Sequence, residues 1–460
     1  MSDGFQKIPA IDFDSIKRVN TNQYKKLALT FLEQCSDYIF CTSRDETRKG
    51  TFYRYCEGLY SPISVIDLEN HIESIIPEAD RLPRQRVLEV ISNLKSKRYC
   101  YFDQFNQQDL INFRNGYFHV TNRSITPHSP EILSTVQLPY DYDPDARCPM
   151  WEESILRITD GDMEKVHVLQ EFMGYCFTRS TKFEKSLFLI GEANSGKSTV
   201  VTMFEALLGQ HNISAVSLRH MMNPNFMGSL IGAYANLVTE IPKNISDYED
   251  VFKTIVSGEP ITVNTKYIPT YTARPFCKLV FAGNKLMHIA DTSNAVFRRM
   301  LLLELNNVIP PSEVDVDWKQ KLLVEAPGIF NWALDGLDRL NANKAFTSCT
   351  EMELRLKEVK IANNSALFFC EERVTTSLNK SDSFITKKDL YDEYRKFCLE
   401  YNIKGVISMK NFNEEIFSIY RPRVMRDQRK SVDGKQVRVW GGLKMRDRFE
   451  RSEEMIEWEN

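Results

Sequence analysis

The spacing of apolar positions divides this chain into stretches of different character. From Tyr24 to Phe40 and from Val65 to Ile76, apolar residues recur at helical intervals, which predicts amphipathic helices. Between them, Gly50-Thr-Phe-Tyr-Arg-Tyr-Cys-Glu-Gly58-Leu-Tyr reads as a short aromatic hairpin. Asn115-Gly116, inside Phe113 to Val120, marks a second hairpin because that pair favours a tight turn. Pro139 to Met150, polar and bounded by proline, reads as a linker. Residues 1–150 are therefore expected to form a mixed, mostly helical domain that ends in a linker.

From Trp151 to Arg179 the pattern is helical again, with Ile155, Leu156, Val166, Leu169, Phe172 and Met173 as core candidates. It then changes to short apolar runs at Leu187–Ile190, Ala235–Thr239 and Lys278–Ala282, as expected of strands buried on both faces. Strands of this kind, separated by helical or hairpin segments, predict an α/β core over 151–345, with a mainly parallel sheet between helices. Past residue 345 the chain becomes more charged. Lys387 to Tyr401 places Leu390, Tyr394, Phe397 and Cys398 on one helical face, and a second helix runs from the N-cap candidate Ser408 through Ile416. The turn Asp433-Gly434 then separates two strand-like stretches. Two helices and a hairpin predict a winged-helix domain at about 380–448, within 346–460.

Composition narrows the classes. With 460 residues and 42% hydrophobic content, the chain can hold several cores. A net charge of -3 gives no global positive field, so any nucleic-acid surface must be local. Arg421 to Arg448 supplies one, with ten Lys/Arg against three Asp. The ten cysteines stand singly, with no Cys-x-x-Cys pair or zinc spacing, which fits a reduced, cytoplasmic setting. No stretch reaches 18 consecutive apolar residues and the N-terminus carries no basic-then-apolar leader, so no membrane partner is expected. Asp141, Asp143 and Asp145 alternate in the linker and read as a solvated face rather than a metal site.

The chemistry starts at Gly191-Glu192-Ala193-Asn194-Ser195-Gly196-Lys197-Ser198, a complete phosphate-loop pattern between an apolar strand and a helix that opens with Thr199. Backbone N–H groups of such a loop wrap a β-phosphate, Lys197 reaches the β/γ-phosphates, and the Ser198 hydroxyl sits on Mg2+. ATP with Mg2+ is the expected ligand. Glu240, closing the run Ala235-Asn-Leu-Val-Thr-Glu, is the candidate acid for metal or water, with Thr239 standing where many such strands carry a second acid. Asn284, at the tip of the next strand, is placed to donate to a γ-phosphate or to hold the lytic water. Arg298 and Arg299, after a short helical stretch, suit charge neutralisation on a phosphoryl group of a neighbouring subunit. Between the acid and the amide, Ser257 to Pro269 suggests a projecting hairpin whose tip holds Lys266 to meet a phosphate backbone and Tyr267 to stack or pack.

In that order, these residues resemble the superfamily 3 helicases, specifically the phage and plasmid primase-helicase group that includes the poxvirus primase-helicase. Asn115-Gly116 through Thr126-Pro-His-Ser-Pro130 and Pro139 to Trp151 look like that family's pre-helicase domain, and Gly328 to Leu340 looks like its segment after the ATPase. The resemblance implies an AAA+-like P-loop core in a homohexameric ring that hydrolyses ATP and moves along single-stranded DNA. It assigns Lys197 and Ser198 to phosphates and Mg2+, Glu240 to catalysis, Asn284 to the polar sensor and Lys266 to the translocation hairpin. It makes Arg299 the arginine finger ahead of Arg298, and adds Lys253 as a contact to DNA or nucleotide. The family's primase-polymerase site has no counterpart here, so the chain looks like the helicase half made as a separate protein, with a separate primase or polymerase as a partner.

The leading expectation is an ATP-dependent replicative helicase of a phage, plasmid or mobile element. A second is an origin-recognising initiator that grips double-stranded DNA through the C-terminal domain. There Lys410, Asn411 and Asn413 lie on the second helix, and Arg421, Arg423, Arg426, Arg429, Lys430, Lys435 and Arg438 on the basic stretch. A third is a scaffold that uses ATP only to assemble; the paired arginines and the hairpin disfavour a small-molecule kinase.

Overall fold

The computed structural model describes residues 37–42, 44, 50–75, 83–106, 110–241, 245–264, 270–285, 295–310, 312, 317–376, 383–403, 405–421, 424, 428–432 and 434–446. They fall into two compact units: Met1–Pro242, Tyr248–Leu286 and Arg298–Cys349 contribute to the first, and Lys243–Asp247, Met287–Phe297 and Thr350–Asn460 to the second.

The first unit opens with β1 (Tyr38–Thr42), β2 (Gly50–Cys56), β3 (Leu59–Ile63) and β4 (Tyr99–Tyr101), in the order β3-β2-β1-β4. The aromatic hairpin forms as expected, with Cys56 opposite Leu59 across its turn. β1 corrects the expected helix from Tyr24 to Phe40, whose earlier part lies outside the described residues. Its side chains alternate between two cores, Tyr38 and Phe40 joining one and Ile39 and Cys41 the other. A run buried on both faces has no period to betray it as a strand. Helices α1 (Val65–Ile75) and α2 (Arg84–Lys97) cover the first core with Leu68, Ile72, Val87, Val90, Ile91 and Leu94.

A small antiparallel sheet of β5 (Leu110–Phe113), β6 (Gly116–His119) and β7 (Ser124–Thr126) follows. The helical stretch after it breaks into α3 (Pro149–Ile158) and α4 (Met163–Cys176) at a turn where Asp160 and Gly161 take φ of 55° and 75°. Asp162 caps α4 by accepting from the Glu164 N–H at 2.8 Å. Leu156, expected in the core, is 41% exposed because the buried stripe of α3 runs through Trp151, Ser154, Ile155 and Ile158.

The centre of this unit is a parallel sheet of β8 (Ser186–Ile190), β9 (Ile213–Ser214), β10 (Ala235–Val238), β13 (Lys278–Gly283) and β14 (Met300–Glu304), in the order β14-β8-β13-β10-β9. Between β10 and β13 lie α6 (Glu249–Ser257) and a hairpin of β11 (Ile261–Val263) and β12 (Tyr271–Ala273); α5 (Lys197–Leu208) follows β8. Two later helices, α7 (Trp318–Val324) and α8 (Ala326–Asn343), close the unit. A β-carbon on Gly174 of α4 would lie 2.2 Å from the Ala333 carbonyl oxygen, so glycine lets α4 and α8 cross backbone to backbone.

The expected linker is pinned to this frame. Phe113, Phe118 and Tyr142 pack edge-on against Phe330 of α8, and Asn331 Nδ2 donates to the carbonyls of Asp143 (2.9 Å) and Ala146 (3.1 Å). A polar, proline-bounded composition signals the lack of regular structure, but the lack of packing does not follow from it.

In the second unit, α9 (Thr350–Asn363) and α10 (Ser365–Arg373) precede β15 (Val374–Thr376), β16 (Phe384–Thr386), α11 (Lys387–Glu400), α12 (Met409–Tyr420), β17 (Gln428–Val432), β18 (Lys435–Gly441) and β19 (Leu443–Met445). The strands form a sheet β16-β18-β17 and a pair β15-β19. Leu390, Tyr394, Phe397 and Cys398 of α11 meet Phe412 and Ile416 of α12 and Trp440 of β18 in one core. The helical face read from α11 is the face that is buried.

Candidate functional site

β8 ends at Ile190 and α5 begins at Lys197, so Gly191–Gly196 turn the chain from strand to helix. Asn194 and Gly196 take φ of 63° and 86°. A β-carbon on Gly191 would lie 2.3 Å from the Leu305 carbonyl oxygen, and one on Gly196 would lie 2.5 Å from Ile158 Cγ1. Glycine is therefore required at both ends of the loop by close approach. The loop is fastened by the Gly191 N–H donating to the Gly283 carbonyl (3.3 Å) and the Ile309 N–H donating to the Asn194 carbonyl (2.9 Å).

Lys197 Nζ donates to the carbonyl oxygens of Gly191 (2.7 Å) and Glu192 (2.5 Å) and to Ser195 Oγ (3.1 Å). Burial lowers the pKa of its ammonium from the ordinary value, while the Glu192 carboxylate acts the other way. A partly desolvated cation held by three neutral oxygens attracts any anion that enters the loop. Glu192, Ala193, Asn194 and Ser198 are exposed, Thr199 is half-buried and Ser195 is buried.

The strand order decides what faces the loop. β13 lies between β8 and β10, with Gly283 opposite Ile190 and Val238 opposite Phe281. Asn284, just past β13, and Glu240, two residues past β10, thus emerge at the same edge as the loop, both exposed. Adjacent strands lie about 4.8 Å apart, so Glu240 leaves the sheet about 10 Å from the loop strand, with the Asn284 position between. That spacing admits a phosphate group and a water between cation and carboxylate. Ammonium, hydroxyl, amide and carboxylate share one edge, a donor set that fits a polyphosphate and one hard cation.

Arg298 and Arg299 stand at the other edge, where Met300 of β14 pairs with Ser186 of β8. Arg299 has a side-chain exposure of 7% and is bound to Glu184 (2.7 Å) and Ser257 Oγ (2.9 Å). Arg298 is 66% exposed and only 3.9 Å from Glu184 at its nearest approach. Sequence reasoning singled out neither Glu184 nor Ser257 as a partner, and no local signal marks them, because they come from distant segments. Lys278, at this same edge, is also buried, donating to the carbonyls of Thr178 (2.6 Å) and Phe276 (2.8 Å).

Lys253 sits among acids of its own helix, 3.0 Å from Glu249 and 3.3 Å from Asp250, and the Glu249 hydrogen bond raises its pKa. A hairpin is present as β11 and β12, with Val263 opposite Tyr271. Its tip, with Lys266 and Tyr267, lies outside the described residues, as do Arg423 and Arg426.

In the second unit, a cavity of about 810 Å³ lies between the starts of α11 and α12 and strand β18, lined by Lys387, Lys388, Lys410, Arg438 and Trp440 among others. Lys387 Nζ stands 4.1 Å from the centroid of the Trp440 ring. Arg429 and Arg438, both exposed, are paired directly across the hairpin, an arrangement that like charges disfavour. Lys410, Asn411, Arg421 and Lys435 are also exposed, and Lys430 Nζ lies over the Phe384 ring at 4.5 Å. Asn413 Oδ1 accepts from Trp440 Nε1 (3.3 Å), a link between α12 and the sheet.

Among the described residues no group of three or more His, Cys, Asp or Glu could hold a metal, and no helix is long and apolar enough to cross a membrane.

Comparisons with known proteins meet this geometry at several points. A family model described as "D5 N terminal like" matches residues 67–160, and one described as a family of unknown function, DUF5906, matches residues 189–299. The chain is 21% identical over 200 residues to the "DNA Primase-polymerase" of Nitratiruptor phage NrS-1, covering 42% of this chain and 27% of that protein. An A-form apo structure of the NrS-1 C-terminal region superposes with a TM-score of 0.56 at 13% identity, covering 93% of this chain and all (100%) of that one. A second apo structure of the same region gives 0.54 at 13% identity over 93% and 100%. The chain therefore shares the fold of that C-terminal region.

Proposed function

We propose that this chain is the ATP-driven, DNA-translocating part of a phage or mobile-element replication machinery, built on an AAA+-like core and working as a homohexameric ring. The observation that carries the reading is the shared sheet edge of the Gly191–Ser198 loop, Asn284 and Glu240, with the exposed Arg298 at the opposite edge. β8 has five residues. At about 3.3 Å per residue its two ends lie roughly 16 Å apart, so Arg298 serves a neighbouring copy's nucleotide rather than its own. The likeness to the phage primase-polymerase and to the D5-type family supports a replication role.

In this reading Lys197 turns its ammonium from the loop carbonyls to the β- and γ-phosphates. The Ser198 hydroxyl and the Glu240 carboxylate would hold Mg2+, which would supply charge neutralisation for the phosphate oxygens. Asn284 donates its amide to the γ-phosphate or holds the attacking water, which Glu240 polarises. Arg298, rather than the buried Arg299, completes the neighbouring site. Lys266 on the hairpin contacts single-stranded DNA, so turnover drives movement.

A second reading, an origin-recognising initiator, is favoured by the facing Arg429 and Arg438 and by the cavity beside them, where Lys387, Lys388, Lys410 and Arg438 outnumber Asp389 and Glu414, which suits a duplex phosphate backbone. Measuring ATP hydrolysis with and without single-stranded DNA, with light scattering in the same buffer, tests both. DNA-stimulated turnover by a ring-sized species is expected. Assembly without stimulation would transfer the weight to a scaffold, or to an initiator awaiting its partner.

A further inference from the structure

Resting on that nucleotide and hairpin reading, we propose that Phe102 is a positioning residue: through Tyr271 it holds the β11–β12 hairpin so that DNA contact there reaches Asn284. A two-stranded hairpin is marginally stable alone and takes its placement from what it packs on. β11 is seated by the buried Ile261 and Val263 and by the Asn264 N–H donating to the Pro224 carbonyl (3.2 Å). β12 is held differently. Its Tyr271 stands opposite Val263 at the end nearer the tip, and its Ala273 stands opposite Ile261 at the base. On Tyr271 lies the ring of Phe102, the residue after β4, with centroids 5.7 Å apart and planes 19° from parallel. Phe102 itself packs against the N-terminal core of Ile39, Cys41, Tyr60, Cys100 and Phe105. Burial raises the pKa of the Tyr271 phenol and Cys41 of β1 acts the same way, as a ring turned towards that core requires.

The base of the hairpin is fastened to the central sheet. Arg274 Nη1 donates to the Gly258 carbonyl just past α6 (3.2 Å), and Arg179 Cζ lies 4.7 Å from the centroid of the Phe276 ring. Lys278 Nζ donates to the Phe276 carbonyl (2.8 Å). Residues 274–277 thus join β12 to β13 through a stapled link, and β13 runs between the loop strand and the acid strand to end beside Asn284. A load on the hairpin passes into β13 when both its ends are held; held at the base alone, the hairpin swings instead. Phe102 supplies the second hold. An aromatic pair of this kind shifts the balance between a held and a swung hairpin by about 2- to 12-fold.

The test is ATP turnover by the full chain against rising oligo-dT, for wild type, Phe102→Ala, Phe102→Leu and Phe102→Tyr. Phe102→Ala is expected to keep DNA-free turnover and the KM for ATP within about twofold while DNA-stimulated kcat falls about fivefold. Phe102→Leu, which keeps apolar contact without a stacked ring, should fall between, and Phe102→Tyr should restore the stimulation. Tyr271→Ala should lose stimulation to the same degree, and adding Phe102→Ala to it should cost nothing further. Full stimulation in Phe102→Ala, turnover lost equally with and without DNA, or additive losses in the double variant would overturn the positioning role while leaving the nucleotide site standing. Where the alanine variant does not fold, Phe102→Leu decides on the same readouts. Wild-type protein that did not hydrolyse ATP, or whose turnover ignored DNA, would remove the nucleotide or hairpin reading and the role of Phe102 with it.

Discussion

The two edges of the central sheet carry similar residues and treat them oppositely. At the loop edge Ser198, Asn284 and Glu240 are exposed, and Lys197 is held only by neutral oxygens. At the other edge Lys278 and Arg299 are buried and bonded, the first to two carbonyls and the second to Glu184 and Ser257. A polar group committed to partners inside the fold stabilises that fold; one that faces a shared open edge is available for chemistry. Arg298 is the exception at the second edge, and its exposure beside a neighbour that is buried is what the comparison turns on.

The largest effects should come from the loop edge and from Arg298. Arg298→Ala should slow ATP turnover about 10³-fold or more, the usual contribution of an arginine finger, with nucleotide binding and melting temperature unchanged. Lys197→Ala should cost about 10²-fold or more in phosphate release, again without unfolding. Arg299→Ala should act on stability instead, by about 1–3 kcal/mol in urea titration, because it breaks bonds between a charged group and its partners. If Arg299→Ala left stability intact and abolished only turnover, the contrast between the edges would collapse and the original preference for Arg299 as the finger would return.

Two smaller effects sharpen the same distinction. Arg429→Ala and Arg438→Ala should each lower the salt slope of duplex binding by about 1, since each is exposed to bind phosphate, and the relief of like-charge repulsion should leave stability equal or higher. Lys253→Ala should change stability by less than about 0.5 kcal/mol and leave DNA binding unaltered, its charge being matched by Glu249 and Asp250. A marked loss of DNA binding in that variant would show that the pairing on its own helix does not hold the side chain back.

Much of this was legible in the chain. Three of the five parallel strands of the core, β8, β10 and β13, announced themselves as short apolar runs while β9 and β14 were not singled out, and the Gly191–Ser198 loop announced itself as a pattern that needs a strand before it and a helix after it. The hairpins at Gly50–Tyr60 and at residues 113–120 followed from their turn residues, although Arg114 and Asn115 make the second turn and Gly116 already pairs with Phe113. The buried face of α11 followed from its period. The misreadings share a cause. β1 is too short and too evenly apolar to show a period, Leu156 fits a helical stripe until α3 is seen to use another one, and the ordering of Pro139–Met150 depends on Phe330 and Asn331 far along the chain.

The sequence by itself determined which residues could do chemistry and which segments could be strands, because side-chain type and local spacing fix those. The tertiary structure alone decided that β13 stands between the loop strand and the acid strand, that Arg299 is buried while Arg298 is not, and that the chain leaving β14 is bonded to the loop at Asn194. Each of these depends on bonds between residues remote in the chain, such as Arg299 to Glu184 and Ser257, or Ile309 to Asn194. Local pattern carries no record of such pairings, since strand order and burial are set by how the whole sheet and its helices minimise exposed apolar surface and unsatisfied polar groups.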